Sequence, residues 1–133
     1  MSILIVGVES DITDAIALAL VELGLAPVTV VTTLSEFEEE IKNAPGAVAI
    51  CGQVAGSPAV HLVKSIRKSG KWGENVPVFV LYRPESLKDN DVDEISMAIG
   101  VLGDAIGLDV DIRKPVERIA VICRICSEMS SQR

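Results

Sequence analysis

The sequence predicts an α/β sandwich of three layers, a parallel sheet of five strands with helices on both faces. Short apolar runs without polar alternation stand at residues 3–6, 28–31, 47–52 and 76–81, with a weaker one at 110–112. Such runs mark strands buried on both faces. Segments of helical periodicity separate them, and turn residues such as Pro45-Gly46 punctuate the joins. In a sheet of this kind the working site lies beyond the carboxyl ends of the strands. The end of the central run, Gly52, is therefore the first place to look, and it has no side chain.

Taken in order, residues 2–8 form the first strand. Ser10 or Asp11 then caps a helix, and Asp14 in its first turn suits the helix dipole. Ile12, Ala15, Ile16, Ala19, Leu20 and Leu23 keep one apolar face, and Gly24 supplies the stop. Residues 27–32 are the second strand. A capping box at Ser35-Glu36-Phe37-Glu38 opens the second helix, with Phe37 and Ile41 on one face. The acidic run 36–40 reads as a solvated helix face rather than a binding patch.

After the third strand, residues 58–68 form a helix with Ala59, Val63 and Ile66 inward and His61, Lys64 and Lys68 opposite. The loop 69–75 carries Trp72, read as a cap on the core edge rather than an exposed anchor. Residues 76–81 are the fourth strand, followed by Tyr82-Arg83-Pro84. Asp91 caps a long fourth helix whose Val92, Ile95, Ile99, Leu102 and Ile106 form a narrow seam. Ala98, Val101 and Ala105 widen that seam enough to leave room for a partner surface, and Gly100, Gly103 and Gly107 permit close backbone approach. Residues 108–112 are the fifth strand, ended by Lys114-Pro115. The last helix, 116–129, has two apolar stripes: Ile119, Ala120 and Cys123, then Ile122, Ile125 and Met129. Residues 130–133 are expected to fray.

The 133 residues suit one domain, with its core over residues 2–129. Aromatics make up only 3%, so the core is aliphatic. No apolar run approaches the roughly 20 residues that span a bilayer, and no basic stretch opens a signal peptide. Three cysteines, Cys51, Cys123 and Cys126, argue against a disulfide framework and point to a reducing cytoplasm. A formal net charge of -7 repels a phosphate backbone, which speaks against nucleic-acid binding.

Other chemistry finds no support. His61 is the only histidine, which leaves no Ser-His-Asp set and suits a surface role beside lysines. Cys123 and Cys126 lie inside a helix with no second pair, so they read as core packing rather than as zinc or redox ligands. Gly7 after the first strand is not followed by G-x-G-x-x-G, and no Walker lysine motif is present.

In order and spacing, Ile3-Leu4-Ile5-Val6 with Glu9, Leu23-Gly24, Ser65-Ile66-Arg67, Val76-Pro77-Val78 and Lys114-Pro115 resemble the receiver domain of bacterial response regulators. The resemblance spans nearly the whole chain. It implies a flavodoxin-like fold with strand order 2-1-3-4-5. It also implies a site with an acidic pair after the first strand for Mg²⁺ and a phospho-accepting aspartate at the end of the third. A Ser or Thr after the fourth strand, a Lys after the fifth and an aromatic switch on the fifth complete it. Matched onto this chain, the acidic pair falls on Gly7 and Val8, with Glu9 one place further. The acceptor falls on Gly52, whose neighbours Cys51 and Gln53 are no better, the hydroxyl on Tyr82 and the aromatic on Asp111. Only Lys114 is kept, with a structural role in the turn.

Phosphoryl transfer to a carboxylate needs that carboxylate and a metal. The expectation is thus a pseudo-receiver that is no enzyme, has no cofactor or metal and works through protein partners, a histidine kinase or other signalling protein among them. It is expected to form a homodimer through Val92, Ile99, Val101, Leu102, Ile106, Asp111, Ile119, Ile122 and Ile125. The alternative is a flavodoxin-like small-ligand domain or enzyme subunit with its crevice among Val8, Glu9, Gly52, Gln53, Tyr82 and Lys114.

Overall fold

A computed structural model of the chain describes residues 2–25, 27–52, 58–86, 88–108 and 112–131. Strands β1 (Ile3–Gly7), β2 (Val28–Val31), β3 (Ala47–Cys51), β4 (Val78–Tyr82) and β5 (Gly103–Gly107) form one parallel sheet. Its order is β2-β1-β3-β4-β5, as the resemblance implied. The helices are α1 (Ser10–Glu22), α2 (Leu34–Ile41), α3 (Ala59–Arg67), α4 (Gly70–Asn75), α5 (Asp89–Ile99) and α6 (Arg113–Ser131).

The apolar runs make buried strands because successive side chains point to opposite faces, and both faces are covered. Leu4, Val6, Val48 and Ile50 pack with Phe37 of α2, Val63 and Ile66 of α3 and Ile95 of α5. Ile3, Ile5, Ala47 and Ala49 pack with Ile16 and Leu20 of α1 and Ile119 and Cys123 of α6.

Several local expectations shift. Glu9, not Ser10 or Asp11, is the N-cap of α1, and no side chain closes that cap. The cap of α2 sits two residues early and is not a full capping box: Thr33 Oγ1 accepts from the Glu36 N–H at 3.1 Å and donates to Glu36 Oε1 at 3.0 Å. The loop after α3 contains α4. Trp72 is half-buried against the core, and its indole N–H donates to the Pro45 carbonyl at 2.7 Å, which supports the core-edge reading.

The last third departs most. The predicted fourth helix stops at Ile99, and Gly100 closes it with φ 78°. Leu102 and Ile106 therefore leave the seam. β5 takes residues 103–107 instead of 108–112, of which 109–111 lie outside the described residues. Gly103 and Gly107 are strand residues, not helix residues. Lys114-Pro115 falls within the first turn of α6, where a missing N–H costs nothing.

Two features set this register. Gly103 has φ 136°, and a Cβ there would run into the Val78 carbonyl oxygen, so only glycine lets β5 lie against β4. Arg67, at the end of α3, spreads its guanidinium over four backbone carbonyls. Nε and Nη2 donate to Ile99 at 3.1 and 2.8 Å, and Nη2 to Leu102 at 2.9 Å. Nη1 donates to Gly73 at 2.9 Å and Val76 at 2.6 Å. Replacing Arg67 by Met leaves these carbonyls without a donor. Urea unfolding is expected to show a loss of about 2–4 kcal/mol, with Arg67→Lys recovering less than half because an ammonium cannot span the fork.

Candidate functional site at the strand ends

The carboxyl ends of β1, β3 and β4 open into a hollow of about 540 Å³. Val8 and Glu9 border it after β1, Cys51 and Gly52 after β3, and Tyr82 and Arg83 after β4. Ile12 of α1, Val60 of α3, Asp91, Glu94 and Ile95 of α5, and Leu108 complete its wall. Strand pairing builds this arrangement: Gly7 lies opposite Cys51, Cys51 opposite Leu81, and Tyr82 opposite Gly107.

The geometry accounts for the small residues at the strand ends. Gly7 is buried, and a Cβ there would stand 2.8 Å from Thr13 Cγ2 and 3.0 Å from Cys51 Cβ. Thr13 is itself fully buried, its hydroxyl donating to the Glu9 carbonyl at 3.3 Å. An aspartate at position 7 would have to displace it. Gly52 has φ 77°, in the left-handed region, and its N–H donates to the Leu81 carbonyl at 3.2 Å. Val8 is exposed. The carboxylate of Glu9 accepts from Arg83 Nη2 at 2.8 Å, an ion pair across the mouth between the β1 and β4 ends.

These residues do not fit Mg²⁺. That ion takes about six oxygens, usually anchored by carboxylates. Among the described residues the strand ends offer one carboxylate, Glu9, which is paired with Arg83, and the wall adds Asp91 and Glu94 from α5. Among the described residues no group of three or more His, Cys, Asp or Glu is placed to hold a metal.

Of the crevice residues expected from sequence, Val8, Glu9, Gly52 and Tyr82 come together. Gln53 lies outside the described residues. Lys114 does not join them: it borders a separate hollow with Ile106, Gly107, Pro115 and Glu117. The end of β5 beside Tyr82 is Gly107, and the Leu108 N–H donates to the Tyr82 carbonyl at 2.7 Å. Arg83, Asp91 and Glu94 were missed. Arg83 had one available signal, a cation just past a strand end in a site whose other terminus carries a lone acid.

The expected interface residues scatter. Ile99 and Ile119 belong to the core. Val92, Leu102, Ile106 and Ile122 are half-buried. Val101 is 97% exposed and Ile125 51%. Asp111 lies outside the described residues.

No protein-family model matches the sequence, and no curated protein matches it. Solved structures do. A receiver domain protein from Methanospirillum hungatei JF-1 shares 16% identity at a TM-score of 0.79, over 96% of this chain and 97% of that one. A two-component response regulator from Clostridium difficile shares 16% at 0.77, over 93% and 96%. A response regulator from Thermotoga maritima, in complex with Mg²⁺-BeF, shares 16% at 0.73, over 91% and 97%. The fold is that of a response-regulator receiver domain. Among the described residues no helix is long and apolar enough to cross a membrane.

Among the described residues the one thiol at the strand ends is Cys51. Burial, with a smaller contribution from the Glu9 carboxylate, pushes its thiol from 9.0 up to about 12. Since the thiolate is the reacting form, alkylation at pH 8 is expected to be slowed about a thousandfold in the folded chain and restored on unfolding. The raised value also sets a stability trend. Stability from the neutral thiol is fully present below its unfolded value near 9 and is lost as pH rises toward 12. Denaturation midpoints across that window should fall less steeply in Cys51→Ala.

Proposed function

We propose that the chain is a phosphorylation-independent receiver-like module, cytoplasmic and without catalytic activity, that regulates by binding other proteins, signalling proteins such as a histidine kinase among them. The observation that carries this reading is the state of the strand ends. Gly52 stands where a phospho-acceptor would be, Thr13 fills the space that an acid at Gly7 would need, and Arg83 meets the charge of Glu9. A phosphoryl group on a carboxylate requires an acceptor and a countercharge. Here the Arg83 guanidinium supplies a countercharge to Glu9, and Gly52 at the end of β3 has no side chain to accept a phosphoryl group. The Glu9–Arg83 pair links the β1 and β4 ends across the mouth of the crevice, and on this reading the regulatory input comes from the partner. Incubation with a small acyl phosphate and Mg²⁺ should leave the intact mass unchanged. Gain of one phosphoryl group on a crevice residue would refute the reading.

The hollow favours a second reading, a small-ligand or accessory-subunit domain. Its walls are mainly aliphatic, with Glu9, Arg83 and Tyr82 at the rim, which suits a small molecule with an apolar body and a polar end. A thermal-shift screen of nucleotides and small anions separates the two. Ligand at 100 times Kd adds about 2.7 kcal/mol, a shift of several degrees. The interaction-module reading expects none.

A further inference from the structure

We propose that the hollow at the strand ends binds a small organic ammonium ion, with its apolar body among the aliphatic walls and its charged end towards the acids of α5. The inference rests on the small-ligand reading and names the class of ligand. The hollow, at about 540 Å³, has the size of a small-molecule site. Ile12 of α1, Val60 of α3, Ile95 of α5 and Leu108 give it an uncharged interior. A Cβ on Gly52 would meet nothing within 4 Å, so open space lies just past the end of the central strand. Cys51, next to it, is 7% exposed and borders the same hollow. Among the described residues its thiol has no hydrogen-bond partner. A buried polar group that borders a cavity without a partner is one that a ligand satisfies.

Charge decides the other end of the ligand. The wall carries three carboxylates, Glu9, Asp91 and Glu94, and one cation, Arg83. Each carboxylate has one oxygen engaged. Glu9 Oε2 accepts from Arg83 Nη2 at 2.8 Å, Glu94 Oε1 from Lys64 Nζ at 3.4 Å and Asp91 Oδ2 from the Lys88 N–H at 3.3 Å. Among the described residues the second oxygen of each accepts no hydrogen bond. The rim thus has acceptors to spare. An ammonium brings three N–H donors and no acceptor, which is the complement of such a rim. An anion would meet three carboxylates and a single guanidinium already paired with one of them, and like charges brought together cost affinity.

The arrangement also favours an organic cation over an inorganic one. The three carboxylates are not grouped to chelate a metal ion. All three side chains are exposed, so a bare cation gains little from them in competition with water. A cation with an apolar body is held by the walls, through burial of that body. The carboxylates then select its charge.

Isothermal titration calorimetry of the full chain at pH 7 and low salt tests this with two matched pairs. Tryptamine is set against indole-3-propionate, and hexylamine against heptanoate. Within each pair the body is the same and only the charged end differs. Each amine should bind about tenfold or more tightly than its acid. Asp91→Asn/Glu94→Gln should weaken amine binding about fivefold. Arg83→Gln should act in the opposite direction and tighten it about threefold, because Glu9 loses its countercharge. Val60→Trp, which puts a large side chain into the hollow, should abolish binding of every probe. The opposed effects of the charge variants keep the test decisive even if Val60→Trp folds poorly. An acid that binds as well as its amine would overturn the proposal and leave the small-ligand reading standing. Amine binding that the double variant or a folded Val60→Trp leaves unchanged, or that Arg83→Gln weakens, would overturn it in the same way. No binding by any of the four probes would overturn the proposal together with the reading on which it rests.

Discussion

The guanidinium of Arg67 is the fastening on which the second half of the sheet depends. A parallel sheet needs each crossover to return the chain to the same edge, and the last crossover here ends in a run that does not look like a strand. Gly103-Asp104-Ala105-Ile106-Gly107 is poor in the β-branched and aromatic residues that favour strands. What holds it beside β4 is tertiary. Arg67 donates to the carbonyls of Ile99 and Leu102, on either side of the turn into β5, and to those of Gly73 and Val76 ahead of β4. One side chain on α3 therefore ties the entries of two neighbouring strands. Burial disfavours its charged form. Neutral carbonyl dipoles compensate, and no carboxylate is spent on it.

That fastening has a consequence for the site. With β5 fixed at residues 103–107, the strand ends at Gly107, beside Tyr82. Lys114 is carried on into the first turn of α6 and faces a different hollow. A lysine that motif spacing places in the crevice is thereby turned to the outer surface, beside Pro115 and Glu117. The same register change removes the strand's polar group and supplies the surface with one.

The first half of the fold was legible because its strands are buried on both faces and its helices are amphipathic, so composition and periodicity agree. β1, β3 and β4 read directly from runs such as Ala47-Val48-Ala49-Ile50. The second half was not, because its pattern is ambiguous. Val92, Ile95, Ile99, Leu102 and Ile106 continue at helical spacing past Gly100, and nothing local says that Gly103 must pack against a carbonyl of β4. The site divides in the same way. Val8, Glu9, Gly52 and Tyr82 follow from strand ends and were found. Arg83 was not, because its role depends on a carboxylate 74 positions away in sequence. Thr13 was missed as well, since the reason for Gly7 is a methyl group on the next helix.

The hollow itself is a poor witness to function. Where the helices after adjacent parallel strands lie on opposite faces of the sheet, the strand ends separate and a crevice opens regardless of what lines it. β1 and β3 are such neighbours, with α1 on one face and α3 on the other. The fold therefore opens this cavity whatever groups line it, and fold alone assigns no chemistry. What discriminates is occupancy of the charged positions. A site kept for a mobile cation leaves its carboxylates free to receive one. Here the carboxylate at the β1 end is matched by a guanidinium from the β4 end, 2.8 Å away, with both side chains about half exposed. A half-exposed pair of this kind leaves less negative charge at the β1 end for a cation to meet, and it is the charge pattern, not the cavity, that bears on what the crevice can hold.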